Sequence, residues 1–278
     1  MELQSKLNTL RLNLKNMESI AVAYSGGVDS SFLLNVAYDV LHDNVVAVTA
    51  RSSTYPEREF QEATMFTQKK GIRHVVIVSE ELNIQGFSDN PVNRCYICKK
   101  ELFSKVVEFA RQNQIKHVVD GSNVDDIGDY RPGMQAVKEL GVSSPLIEAG
   151  MGKDDVRTLS RDMGLPTWDK PAFACLSSRF PYGQEITKEK LQTIDKLEQF
   201  LMDLGFRQVR VRHHGDIARI EVSVGERMRF FDAGLMDAVY EQFHNSGFAY
   251  VTLDLKGYRT GSMNEVIDTT AWKKKLIC

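Results

Sequence analysis

The hydrophobic positions in the first half of the chain alternate between two periods. SIAVAY (19–24), NVVAVTA (44–50), HVVIVS (74–79) and KHVVDG (116–121) are short apolar runs, and each predicts a buried strand. Between them VDSSFLLNVAYDVLHD, PEREFQEATMFTQKKG (56–71) and CKKELFSKVVEFARQNQ repeat apolar residues at helical spacing. Proline near the first turn and glycine at the end punctuate the second of these helices. SSPLIEA (143–149) predicts a fifth strand, and KDDVRTLSRDMG a helix after it. At the N-terminus MELQSKLNTLRLNLKNME sets leucines at helical spacing among charges, an amphipathic helix rather than a signal peptide. Strands that alternate with helices predict an α/β fold, a parallel sheet with helices on both faces. Ligands bind in such folds outside the carboxyl ends of the strands.

After about residue 170 the pattern changes. WDKPAFACLSSRFPYGQEIT reads as a loop, TKEKLQTIDKLEQFLMDLG as a long helix, and RQVRVRH and IARIEV as two alternating strands joined by HGD. A helix through MRFFDAGLMDAVYEQFHN and a strand, YVTLDL, complete a small α+β domain. The expected organisation is an α/β domain over 1–170, a cysteine-bearing loop over 171–186 and an α+β domain over 187–278.

Composition narrows the class. The chain has 278 residues, is 42% hydrophobic and 26% charged, and carries a formal charge of −2. That balance gives no general attraction for nucleic acid. No apolar run is long enough to cross a bilayer, so the cytoplasm is the expected location. There the four cysteines are thiols, and their spacing points to metal or catalysis rather than disulfides.

The stretch AVAYSGGVDSSFLL holds the first candidate chemistry. SGGVDS falls where the first strand gives way to the first buried helix. Glycines there let backbone N–H groups approach an anion at a helix N-terminus, and Ser25 and Ser30 add hydroxyls. Asp29 suits an anion site if it holds a cation that itself holds phosphate, usually Mg²⁺. The cysteines supply a second candidate. Cys95 and Cys98 form NRCYICKK, Cys175 lies in FACLSSRF, and Cys278 is the last residue. Three readings stand: small buried hydrophobes, a zinc site completed by a fourth ligand, or three thiolates on a [4Fe–4S] cluster with one iron open. In VRVRHH, alternation places Arg210 and Arg212 on one strand face. Adjacent guanidiniums repel unless an anion or carboxylates lie between them, and a nucleotide phosphate suits their geometry; Arg259 of GYRTG could join. The alternative is a solvated polar face of a half-buried sheet.

Ser25, Gly26, Gly27, Asp29 and Ser30 match every fixed position of the SGGxDS signature, so the first domain resembles the PP-loop ATP pyrophosphatases (adenine nucleotide alpha hydrolase-like). That resemblance implies cleavage of ATP between its α- and β-phosphates, with adenylation of a substrate oxygen. FACLSSRFPYG, VRVRHHGDIARIEV, YVTLDLKGYRTGSMN and GDYRPG (128–133) extend the likeness over about residues 10–265 to the LarE-type sulfur transferases. The LarE resemblance implies pyridinium-3,5-biscarboxylic acid mononucleotide as substrate, conversion of a carboxylate to a thiocarboxylate, a role in nickel-pincer nucleotide cofactor biosynthesis, and a homo-oligomer. It implies that Asp129 and Arg131 face the ATP, that Ser178 and Arg179 touch substrate or AMP beside Cys175, and that Glu198 binds a divalent cation. Cys95, Cys98 and Cys175 resemble the LarE type that holds a [4Fe–4S] cluster and passes on sulfide or sulfur from a donor. A sacrificial Cys175 and a [4Fe–4S] tRNA thiolation enzyme are the alternatives.

Overall fold

In the computed structural model the described residues are 2–127, 132–172 and 174–264. Asp129, Arg131 and Cys278 lie outside them. The chain divides into two compact units, Met1–Cys175 and Leu176–Cys278. The cysteine-bearing segment is thus shared out, residues 171–175 with the first unit and 176–186 with the second.

Four parallel strands form the sheet of the first unit: β1 (Ile20–Ala23), β2 (Val45–Arg51), β3 (Arg73–Val78) and β4 (His117–Val119), in the order β3-β2-β1-β4. Its helices are α1 (Leu3–Met17), α2 (Val28–Leu41), α3 (Glu57–Lys70), α4 (Arg94–Gln112), α5 (Pro132–Glu139), α6 (Pro145–Glu148) and α7 (Lys153–Asp162). Successive strand residues face opposite ways, and the two cores show it. Ile20, Val22, Val45 and Ala47 pack with Leu7, Leu10 and Leu14 of α1, with α2, and with Ala63 and Phe66 of α3. Ala21, Val46 and Val48 pack with Phe103, Val106 and Ala110 of α4 and Val137 of α5. The chain runs outward through β1, β2 and β3, then returns to place β4 on the far side of β1. That reversal makes the carboxyl ends of β1 and β4 the expected ligand crevice.

The expected fifth strand is not one. Ser143 makes a single parallel bridge to Val119, and Pro145–Glu148 then turn into one helical turn. Pro145 sits at the first helical position, where its missing N–H is no loss, whereas in a strand it would remove a ladder bond.

In the second unit α8 (Lys188–Asp203) is capped by the Thr187 hydroxyl, which accepts from the Lys190 N–H at 3.3 Å. It buries Leu191, Ile194, Leu197 and Leu201. Strands β5 (Val209–His214) and β6 (Ile217–Val222) form an antiparallel hairpin, and β7 (Tyr250–Leu253) lies parallel to β6. The helix expected through MRFFDAGLMDAVYEQFHN is two pieces. Val224–Phe231 form a 3-10 stretch, and α9 (Ala233–Asn245) starts afresh where Asp232 accepts from the Leu235 N–H at 2.8 Å. The aspartate hydrogen-bonds the new helix's own backbone, which ends one element and starts another.

Leu10 is fully buried between α1 and the sheet. Leu10→Ala is expected to destabilise the first unit by about 3 kcal/mol, read as a lower urea midpoint in unfolding followed by circular dichroism.

Candidate active site

The SGGVDS turn closes β1 and opens α2. Gly26 has φ +68°, in the left-handed region, and a Cβ there would meet Ala63 Cβ at 3.0 Å, so only glycine lets the turn lie on α3. Gly27, in extended conformation, is the residue before the helix. The Ser25 N–H reaches Ser30 Oγ at 3.4 Å, the two hydroxyls lie 3.2 Å apart, and Ser30 Oγ donates to the Gly27 carbonyl at 3.3 Å. Behind the turn the Tyr55 hydroxyl donates to the Ser25 carbonyl at 2.8 Å, and Lys170 Nζ to the Gly26 carbonyl at 3.1 Å. The loop after β4 closes in from the other side. A Cβ on Gly121 would meet the Ser30 backbone nitrogen at 3.0 Å.

Asp29 stands in the first turn of α2, and its carboxyl is pushed up by burial and then by the nearby Asp126 carboxylate. Lys153, Arg157 and a hydrogen bond from Asn123 offset part of this. Asp126 is buried and accepts from the Asn123 N–H at 3.1 Å, with Lys153 Nζ 3.9 Å away. Two carboxylates held close in a buried place suit a divalent cation, which removes their repulsion. Asp126 was not among the residues singled out in the sequence. The signal available was GSNVDD directly after a strand of the parallel sheet.

Cys95 and Cys98 lie inside the first turns of α4, on one helical face by their spacing of three. Cys95 is exposed; Cys98 and Cys175 are partly buried. Burial pushes the Cys98 thiol well up, and then, in order, Glu81, Cys175 and Cys95 add to it. Cys98 therefore lies within electrostatic reach of both Cys175 and Cys95, within the first unit. Cys98 Sγ donates to Glu81 Oε1 at 3.7 Å, and the Thr54 hydroxyl donates to Glu81 Oε2 at 3.3 Å. Among the described residues no three His, Cys, Asp or Glu side chains gather as ligands of one metal ion. A single zinc ion needs such a group. Thiolates are the donors a four-iron cluster takes, and Cys95, Cys98 and Cys175 belong to the same unit.

The remaining candidates belong to the second unit. Arg210 and Arg212 are buried, not on a solvated face. Carboxylates lie among them. Arg212 Nη2 donates to Glu221 Oε2 at 2.6 Å and to Ser262 Oγ at 2.9 Å, and its Nη1 to the Ser178 carbonyl at 3.0 Å. Arg179 donates to Glu198 from Nε at 2.9 Å and Nη2 at 2.7 Å, and to the Ser178 hydroxyl at 3.0 Å. Arg210 lies over the Tyr258 ring at 5.1 Å. Burial, then Arg179, push its guanidinium down to about 10, which leaves it charged at neutral pH. Arg259 lies 3.5 Å from Asp254, which also holds Arg219 at 2.7 Å. Glu198, expected to take a divalent cation, has both oxygens occupied: Oε1 also accepts the Val211 N–H at 2.8 Å. A cation there would have to displace the Arg179 guanidinium.

A parallel sheet whose central strand ends in SGGVDS defines a PP-loop α/β domain. The NAD synthase family matches residues 3–113. An uncharacterized protein of Synechocystis is 46% identical over 265 residues, 95% of this chain and 99% of the relative. The pyridinium-3,5-bisthiocarboxylic acid mononucleotide synthase of Lactiplantibacillus plantarum is 39% identical over 269 residues, 95% of this chain and 96% of the relative. The tRNA-specific 2-thiouridylase of Rickettsia felis is 27% identical over 58% of this chain. The likeness to the L. plantarum synthase runs nearly end to end, and the chain belongs to its family, the LarE family of PP-loop enzymes.

Burial alone would push the Glu198 carboxyl up; Arg179, Arg210 and the Val211 N–H outweigh it and hold it below its ordinary value of 4.5. The stability this contributes is present above that ordinary value and is lost as pH falls through the lowered one. Glu198→Ala strands Arg179 and is expected to cost about 3–5 kcal/mol at pH 7. Urea unfolding should show the gap to wild type narrowing as the pH is taken below 4.5.

Proposed function

We propose that this protein is an ATP-dependent sulfur transferase that adenylates a carboxylate of pyridinium-3,5-biscarboxylic acid mononucleotide and converts it to a thiocarboxylate, a step of nickel-pincer nucleotide cofactor biosynthesis. The observation that carries the reading is the complete SGGVDS turn, with Cys95, Cys98 and Cys175 in the same unit, in a chain that matches the L. plantarum synthase nearly end to end.

The chemistry follows from charge. A carboxylate oxygen is a poor leaving group. Its attack on the ATP α-phosphorus releases pyrophosphate and forms an acyl adenylate, from which AMP can leave. The N–H groups of Gly26 and Gly27, the hydroxyls of Ser25 and Ser30 and the start of α2 hold the departing pyrophosphate. Asp29 and Asp126 hold the Mg²⁺ that offsets its charge. Asp129 and Arg131, outside the described residues, are assigned to the nucleotide. Cys95, Cys98 and Cys175 hold a [4Fe–4S] cluster, which when bound supplies sulfide as the nucleophile. Arg210 and Arg212 are buried, and Arg259 lies 3.5 Å from Asp254. Guanidiniums recognise phosphate through paired N–H donors, so Arg210, Arg212 and Arg259 are assigned to the substrate phosphate.

Two measurements test this. Asp29→Asn is expected to lower AMP formation from ATP and the bis-acid mononucleotide by at least about 100-fold, with folding unchanged by circular dichroism. Protein purified without oxygen is expected to hold about four iron and four acid-labile sulfide per chain, both lost in Cys98→Ala. Iron absent even after reconstitution would overturn the cluster; loss of H₂S from Cys175 after one turnover would then mark that cysteine as the sulfur source.

A further inference from the structure

Two side chains grip the PP-loop from behind, and one of them is continuous with the segment that carries Cys175. In a planar trans peptide the C=O and the N–H point in opposite directions. The Ser25 carbonyl shares a peptide with the Gly26 N–H, and the Gly26 carbonyl shares one with the Gly27 N–H. Tyr55 Oη holds the first carbonyl at 2.8 Å and Lys170 Nζ the second at 3.1 Å. Both N–H groups are therefore turned away from Tyr55 and Lys170. A donor on the carbonyl also polarises the amide and strengthens the N–H at its other end.

Lys170 is fixed at both ends. Its ammonium lies 2.6 Å from Glu59 and 2.7 Å from Glu62, both on α3, and is only 10% exposed. Its own carbonyl accepts from Arg157 Nη2 of α7 at 2.8 Å, and the Trp168 carbonyl from Nη1 of the same side chain at 2.7 Å. Five residues further on is Cys175. Tyr55 lies between β2 and α3, far along the chain from the cysteine segment.

We infer that Lys170 is a positioning residue that couples the anion loop to the cysteine segment, so that pyrophosphate on the loop orders the chain leading to Cys175. The inference rests on the loop's being the pyrophosphate site. An anion drawing on the Gly27 N–H makes the Gly26 carbonyl a better acceptor, tightens its bond to Lys170 and so holds the following residues more firmly. By linkage, ordering that segment raises affinity for pyrophosphate by the same factor.

The test uses the full chain as purified, with magnesium pyrophosphate as probe. Calorimetry gives affinity, and hydrogen–deuterium exchange follows the amides of Ala172, Ala174 and Cys175. In wild type, saturating pyrophosphate should slow exchange at these amides about fivefold or more. Tyr55→Phe should bind about tenfold more weakly yet keep the slowing at saturation. Lys170→Met should bind more weakly and lose the slowing at saturation, while Lys170→Arg restores it. A wild-type chain that binds pyrophosphate with no change at these amides overturns the coupling and leaves the loop's role standing, as does a Lys170→Met chain that keeps the full slowing. Failure of wild type to bind either magnesium pyrophosphate or MgATP overturns the reading of the loop itself. The wild-type exchange measurement decides the coupling even if Lys170→Met does not fold.

Discussion

Peptide N–H groups can present themselves as donors only where the backbone is held so that they face outward, and that condition reaches every element around Gly26 and Gly27. The turn has to leave a buried central strand, so β1 is flanked by β2 and β4 and covered on both faces. It has to enter a helix whose first turn is held still, and Ser30, Ser31, Phe32, Leu33 and Leu34 are all buried. It has to turn tightly against α3, where Gly26 leaves no room for a side chain above Ala63. The loop after β4 has to approach the same helix start, which Gly121 permits. Removing any one of these would let the donors rotate, and an anion site of neutral groups works by fixed direction more than by charge.

Much of this is legible in the sequence because it depends on local pattern. Apolar runs of strand length, helical spacing and glycine at SGGVDS each reflect a physical requirement that acts within a few residues. SSPLIEA misleads because its apolar content is that of a strand, while Pro145 commits the backbone to a helical turn after one bridge. MRFFDAGLMDAVYEQFHN misleads because apolar spacing runs through Asp232, whose side chain nevertheless starts a new helix. Asp126 was missed because its meaning comes from Asp29, far away in sequence and near in the fold. Lys170 was missed for the same reason: WDKPAF gives no hint that its ammonium lies on α3 and on the Gly26 carbonyl.

The cysteine pair shows how an element changes the meaning of a motif. In an extended loop a CxxC spacing leaves the two thiols free to adopt many arrangements. On α4 it puts them on one face, one turn apart, with Cys95 toward solvent and Cys98 beside buried Glu81. Burial next to a carboxylate disfavours a lone thiolate at Cys98. A positively charged centre bound to the sulfur would reverse that preference, because the anionic thiolate would then have its counter-charge at bonding distance. The same surroundings make Cys98 unsuited to act as an unassisted nucleophile.

The guanidiniums of the second unit carry the same logic to the opposite charge. Strand alternation places Arg210 and Arg212 together, but it does not say what lies between them. The fold supplies Glu198 from α8 and Glu221 from β6, and Asp254 for Arg219 and Arg259. At Arg210, burial and Arg179 push the guanidinium down, while Glu198 and Tyr258 act the other way. Charges taken out of water need partners, and these carboxylates supply them. Carboxylates from three parts of the unit thus hold the guanidiniums in fixed directions, and groups held in fixed directions lose little freedom when they meet a ligand.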